Sequence, residues 1–237
     1  MLTLKVLAAL LVYPEQELVD SLGEMAAILE AEGALPKVER GALATLMADL
    51  RGADLMDAQA RHVALFDHSR SLSLHLYEHS HGDSRDRGQA MVDLLNHYRA
   101  HGLDPGDSEL PDFLPLFLEF LSVRPAVEAR AMLGQAVWVA ALLRARLEQR
   151  GSPYAAVFRA LEALAPQQAD EAAIREAIGG DVPDDTPEAL DRAWAEAPVT
   201  FRDDPAASAG CTAASAMVAR FAPPPGARST ARRSGMR

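Results

Sequence analysis

Two of the seven histidines, all of which lie between positions 62 and 101, stand in a pattern that could bind a metal ion. His75, Glu78 and His79 spell H-x-x-E-H, which places both imidazoles one turn apart on a helix. In a zinc hydrolase the two histidines would bind zinc and the glutamate would polarise a water molecule. A histidine-rich segment matches so short a pattern easily by chance. Surface or capping histidines are therefore the favoured interpretation, with a zinc-dependent hydrolase as the alternative.

A dense polar segment, 78–89, separates two apolar stretches of the chain. A solvated turn between helices would explain part of it, but a turn needs only a few such residues. The excess favours a recognition surface. The side chains that would form it are Glu78, His79, His81, Arg85, Asp86 and Arg87.

The segment 109–121 carries phenylalanine and leucine at helical spacing after a Pro-Asp pair. Asp112 is predicted to cap this helix, which puts Pro115 in its first turn, where the missing N–H is no loss. Phe113, Phe117 and Phe120 then share one face. A helix this apolar is normally buried in a core. The alternative is that its phenylalanine face lines a groove for an apolar or amphipathic peptide.

The elements that position these residues are predicted to be helices. Among the 237 residues, Ala and Leu far outnumber the β-branched types, which favours an all-α fold. The formal charge of −11 argues against an extended nucleic-acid interface. One cysteine, Cys211, excludes a disulfide framework within the chain, and no apolar run is long enough to cross a bilayer.

Apolar periodicity and Pro/Gly punctuation predict helices throughout the first 165 residues. The first segment is predicted to be an amphipathic helix and not a signal peptide. Its apolar run, 6–12, is short for a signal peptide, and no cleavage site follows. Ser152 is predicted to cap the last helix of this region. The other predicted helices cover about 18–29, 43–50, 55–78, 84–101 and 126–150.

Composition changes after Pro166 and divides the chain into three predicted parts. Residues 1–165 form the helical domain. Residues 166–204 form an acidic segment with one short helix after Thr186. Residues 205–237, rich in Arg, Pro and Ala, cannot bury enough apolar surface to fold, so they form a mobile tail.

Several segments resemble the nitrate reductase molybdenum cofactor assembly chaperones, the delta-subunit family NarJ/NarW within the TorD-like redox-enzyme maturation chaperones. The resemblance rests on Leu65-Phe66-Asp67, the long polar run 78–94 and Glu109-Leu110-Pro111-Asp112, and it extends from 10–14 to 199–201. The run 78–94 is its most specific part.

The resemblance implies an all-α, single helical-bundle domain with an irregular C-terminal extension, located in the cytoplasm and without catalytic activity. It implies binding to the N-terminal segment of the apo catalytic α subunit, within the αβ complex of membrane-bound nitrate reductase, before membrane docking. The molybdenum cofactor insertion machinery is a further possible partner. No cofactor, metal, nucleic acid or membrane insertion is expected for the chain itself, and another molybdoenzyme is the alternative client.

The resemblance also changes which candidate residues are expected to have a role. Its Glu-His-x-His-Gly element begins at Glu78 and leaves out His75, which weakens the zinc interpretation. Relatives often carry histidine where this chain has Phe113, so only Asp112 inherits a family role there. The predicted recognition edge is Glu78, His79, His81, Arg85, Asp86 and Arg87, and the predicted groove lining is Asp112, Phe113 and Phe117.

Overall fold

A computed structural model of the chain describes residues 1–80, 85–106, 109–180 and 191, apart from the side chains of Arg85 and Asp86. Within these residues the regular elements are α-helices, one 3₁₀ turn at Arg70–Leu72 and one isolated antiparallel bridge. The predicted all-α class is thereby confirmed for the described part of the chain. The helices are α1 Leu2–Ala9, α2 Gln16–Glu32, α3 Lys37–Gly52, α4 Leu55–Phe66, α5 Leu76–Ser80, α6 Arg85–Ala100, α7 Leu114–Ser122, α8 Ala126–Gln149, α9 Ala155–Leu164 and α10 Glu171–Gly179.

Helix α8 is the central helix of the hydrophobic core. It packs along α9 and also contacts α7 and α10, while α1 packs against α7 and α2. By length and composition α8 could cross a membrane, but 56% of its most apolar window is buried within the fold. Its apolar character is that of a core helix, which must be hydrophobic around most of its circumference.

The leucine stripes predicted from the sequence form the helix faces that are buried. Leu43, Leu46, Met47 and Leu50 of α3 are at most 3% exposed, as their spacing on one helix face requires. The predicted first helix is present as α1, where Leu4 and Leu7 are in the core. The end of α2 also holds the start of α1, since the Glu32 carboxylate accepts hydrogen bonds from its first backbone N–H groups.

The predicted single helix over 55–78 is wrong. Helix α4 ends at Phe66, and the chain then forms the 3₁₀ turn and a short extended stretch before α5. In that stretch His75 pairs with Phe113 in the isolated antiparallel bridge, closed by backbone hydrogen bonds of 3.0 and 2.8 Å. These long-range bonds replace the helical ones, which periodicity alone could not reveal.

Two predicted caps are also wrong. Helix α7 begins at Leu114 with Phe113 as its N-cap, so the Asp112 side chain is free to bond elsewhere. Helix α9 begins at Ala155, because a turn in which the Ser152 hydroxyl accepts from the Tyr154 N–H precedes it.

Helix α10 was not predicted, although Asp170 caps it by accepting from two backbone N–H groups. The helix predicted after Thr186 and the predicted tail 205–237 lie outside the described residues. The division of the chain at residue 165 stays a prediction.

Candidate functional site

The antiparallel bridge brings together the two segments that the sequence singled out. It joins the residues just before α5, which open the polar run, to the residues just before α7. The Glu78-His79 pair and the Asp112-Phe113 pair, more than thirty positions apart in sequence, therefore belong to one local structure.

Asp112 organises this structure from a fully buried position, with 0% exposure. One carboxylate oxygen accepts from Nδ1 of His75 at 3.2 Å, and the other accepts from the backbone N–H of Tyr77 at 3.1 Å. The hydrogen bond to Asp112 raises the pKa of His75, because it stabilises the imidazolium form. The carboxylate thus acts as a positioning group for His75 and for the start of α5.

The polar run contributes three described side chains to the same region. Oε1 of Glu78 accepts from Nη2 of Arg87 at 3.3 Å, which links α5 to α6. Burial opposes ionisation of Glu78, but a hydrogen bond from Ser73 and the charge of Arg87 outweigh it and lower its pKa. Nε2–H of His79 donates to the carbonyl of Ser73 at 2.8 Å, and burial lowers the pKa of this imidazole.

The remaining predicted residues are placed less completely. His81 lies outside the described residues, and so do the side chains of Arg85 and Asp86, whose backbone is in α6. Phe117, predicted to line a groove, is 5% exposed and packs in the hydrophobic core with most of α7, and it does not line the cavity described below. Phe113 is half-buried and reaches a cavity.

This cavity, which we call the groove, has a volume of about 600 Å³. Its apolar lining includes Leu11, Tyr13, Leu18, Phe66 and Phe113, and four carboxylates from Glu15, Glu17, Asp67 and Glu109 join them. The lining contains no lysine or arginine. The groove therefore offers apolar contacts beside negative charge, which suits a segment that is apolar on one side and basic on the other.

Two histidines also line the groove. His75 is held there by Asp112, and His62 is held by Nε2–H, which donates to the carbonyl of Leu11 at 3.0 Å. His62 is 5% exposed, and its burial lowers its pKa. Its ring lies 4.9 Å from that of Phe66, in an aromatic cluster on the groove wall.

Sequence reasoning missed most of the groove. The residues 11–18, in the loop after α1 and at the start of α2, carried no chemistry-bearing motif, and their role appears only when they fold next to α4. His62 lies within the buried stripe of α4, a position that favours a core histidine.

The H-x-x-E-H pattern does not assemble a metal site among the described residues. His75 and His79 each hold a protein oxygen with one ring nitrogen. Within the described part of the chain, the one group of three potential ligands that approach one another lies elsewhere, at His97, His101 and Glu128.

Comparisons with known proteins find similar sequences and one similar structure. The model of the nitrate reductase delta subunit family matches residues 32–160. The nitrate reductase molybdenum cofactor assembly chaperone NarJ of Escherichia coli K12 is 45% identical over 94% of this chain and 93% of its own length. The probable chaperone NarW of the same organism is 39% identical over 85% of this chain and 84% of its own. A crystal structure from Archaeoglobus fulgidus, described as a redox enzyme maturation protein, aligns with a TM-score of 0.49 and 23% identity over 67% of this chain and 88% of the other.

Proposed function

The chain belongs to the nitrate reductase delta subunit family, and on that basis we propose that it is an assembly chaperone for the molybdenum cofactor of a nitrate reductase. Its relatives are named as chaperones and not as catalysts, so the chain is assigned no enzymatic reaction. The client is the apo catalytic subunit, which is bound in the cytoplasm through its N-terminal segment before the complex docks on the membrane.

The groove is the observation that carries the proposal about the client. A volume of about 600 Å³ accommodates a few apolar side chains from one face of a helix, and not a whole helix. The four carboxylates would attract basic residues on the flanks of the same helix and would speed its encounter with the chaperone. An amphipathic, basic leader segment has both properties.

The polar recognition edge remains part of the proposal. Glu78 of α5 and Arg87 of α6 are joined by a hydrogen bond, which fixes the two helices relative to each other at this surface. Both side chains can also offer hydrogen bonds to a partner. His81, Arg85 and Asp86 continue the proposed edge. Asp112 supports the groove indirectly, because it positions His75, which lines it.

Calorimetric titration with a synthetic peptide of the catalytic subunit's N-terminal segment tests the proposal. Phe113→Ala removes an aromatic contact on the groove wall and is expected to weaken binding by about 10-fold or more. Tyr13→Ala serves as a second variant, since this side chain is 46% exposed and its loss leaves the core intact. Met56→Ala is the matched control, because Met56 is 76% exposed and does not line the groove.

Charge gives an independent measurement. Glu109→Gln is expected to weaken binding a few-fold at low ionic strength and to flatten its salt dependence, because screened charges contribute less as salt rises. If the peptide does not bind at about 100 μM, or if Met56→Ala weakens binding as much as Phe113→Ala, the groove is not the site. Preferential binding of a leader from another molybdoenzyme would reassign the client.

A further inference from the structure

Two histidines at the end of α6 face a glutamate at the start of α8. His97 is in the last turn of α6 and His101 lies one residue beyond its end, and their ring centroids are 4.5 Å apart. One ring nitrogen of each histidine and one carboxylate oxygen of Glu128 all lie within 4.8 Å of one another. We propose that these three residues form a binding site for a divalent transition-metal ion, such as Zn²⁺, which ties α6 to α8.

His101 is already oriented as a metal ligand. Its Nδ1–H donates to the carbonyl of His97 at 2.8 Å, which places the lone pair on Nε2. A ligating histidine usually donates its other ring N–H to a carbonyl or carboxylate in this way. The Nε2 atom lies 3.9 Å from Oε1 of Glu128.

His97 contributes a ring whose polar atom lacks a partner. Its Nε2 is buried and makes no hydrogen bond within the part of the chain that the structure describes. A buried polar atom without a partner is unfavourable, and a metal ion bound at Nε2 would remove that penalty. The ring itself is held by edge-on packing against Phe120, with centroids 5.5 Å apart.

Glu128 remains available as a ligand although Arg124 holds it. The guanidinium donates to both carboxylate oxygens, at 3.1 and 3.0 Å, and this contact lowers the pKa of Glu128. A carboxylate has about four lone-pair sites, so it can accept from arginine and bind an ion at once. The nearby positive charge of Arg124 will weaken the site, so we expect moderate affinity.

The distances suit a tetrahedral ion after a small adjustment. Ligands about 2.1 Å from zinc are about 3.4 Å from one another, so the 3.9 Å gap between His101 and Glu128 must close by about 0.5 Å, and no gap by more than about 1.4 Å. His101 is exposed and can make this movement. Two imidazoles and a carboxylate favour zinc, nickel or copper over magnesium or calcium, and they leave a fourth position for water.

The site would strengthen a helix that is weakly held. Among the described side chains of α6, Tyr98 is the only one that is buried. An ion bound between His97, His101 and Glu128 would cross-link the last turn of this helix to the first turn of the central helix α8. The role is structural, separate from the groove and independent of the identity of the client.

Calorimetric titration of the chelator-treated full chain with Zn²⁺ tests the site. We expect one Zn²⁺ ion per chain to bind more tightly than any further ion, and we expect this ion to raise the melting temperature of the protein. His101→Ala is the main variant, because His101 is an exposed residue whose ring touches the core only at Phe120, and it should weaken binding by about 10-fold or more. Glu128→Gln should weaken binding in the same direction. His68→Ala, at another exposed histidine, is the control and should leave binding unchanged.

Two outcomes would overturn the proposal. One is the absence of Zn²⁺ binding at about 100 μM, because a site that is empty at this concentration is too weak to hold the two helices together. The other is binding that His101→Ala and Glu128→Gln leave unchanged, which would place the ion at other histidines. Circular dichroism of each variant without zinc establishes that the comparison is made between folded proteins. Peptide binding in the groove is measured separately, so failure of either proposal is distinguishable from failure of the other.

Discussion

Replacing Asp112 with alanine is expected to destabilise the fold by about 2–4 kcal/mol, because its buried carboxylate accepts two hydrogen bonds. The loss at Tyr77 is the larger part. Its backbone N–H, at the start of α5, would be left without its acceptor, at a cost of about 1–3 kcal/mol. His75 is 27% exposed and can turn toward water, so its loss costs about 0.5–1.5 kcal/mol.

The same substitution should change how stability depends on pH. Asp112 raises the pKa of His75 in the folded protein above its ordinary value of 6.5. The stabilisation from this shift is therefore fully present below about pH 6.5 and is lost as pH rises through the raised value. The difference in unfolding free energy between wild type and Asp112→Ala should be larger at about pH 5.5 than at about pH 8.5.

Two further variants sharpen the measurement. Asp112→Asn keeps one oxygen that can accept from Tyr77, but its amide N–H₂ cannot accept from His75. We therefore expect a smaller loss of stability than for Asp112→Ala, with the same dependence of that loss on pH, because both variants remove the interaction that raises the pKa of His75. Asp104→Ala removes an exposed carboxylate paired with Arg99 at 3.5 Å and should change stability by no more than about 0.5 kcal/mol.

Urea denaturation followed by circular dichroism at the two pH values provides the assay, with equal m values required for each comparison. The reasoning is refuted if Asp112→Ala lies within about 0.5 kcal/mol of wild type. It is also refuted if the loss is the same at both pH values, since His75 would then not sense the carboxylate.

Two other predictions concern ionisable side chains that are buried or partly buried. Arg144 contacts Glu162 at 2.7 Å and also Glu148 and Glu171, so it joins α8, α9 and α10. Arg144→Met should lower the free energy of unfolding, measured by urea denaturation, by about 1–2 kcal/mol. Adding Glu162→Gln to the same chain should recover part of this loss, because no carboxylate is then left unpaired at position 162. A double variant as unstable as Arg144→Met alone would contradict this. Burial lowers the pKa of His62, so the contribution of this residue to stability falls as pH drops through about 6.5. His62→Gln should therefore make the melting temperature depend less on pH between about pH 7.5 and 5.5. An equal change of melting temperature with pH in both proteins would exclude this origin.

The sequence predicted the helices well wherever a core face was regular. The stripe of α3 and the Phe-Leu helix α7 are buried as their periodicity requires, because helix faces depend on residues only three or four positions apart. The stretch after Phe66 was misread as continuing helix. Its conformation depends on the bridge to Phe113, and no local pattern encodes a partner so distant in sequence.

The candidate site was predictable only in part. The polar run and the Pro-Asp pair stood out as unusual local composition, and the structure joins them through Asp112. The groove wall from the loop after α1 and the start of α2 did not stand out, since ordinary leucine, tyrosine and glutamate become a site only by being placed together. The same holds for His101 and Glu128, which are brought together by two different helices.

The His75–Phe113 bridge has a further consequence for local opening. It fastens both ends of the segment that contains α6, so this helix can unfold and refold at the cost of exposing Tyr98, while the other core helices stay packed. Amide hydrogens of α6 should therefore exchange with solvent much faster than those of α8, in a unit of their own. Opening of α6 on its own would therefore change one surface of the protein while the helices around α8 stay folded.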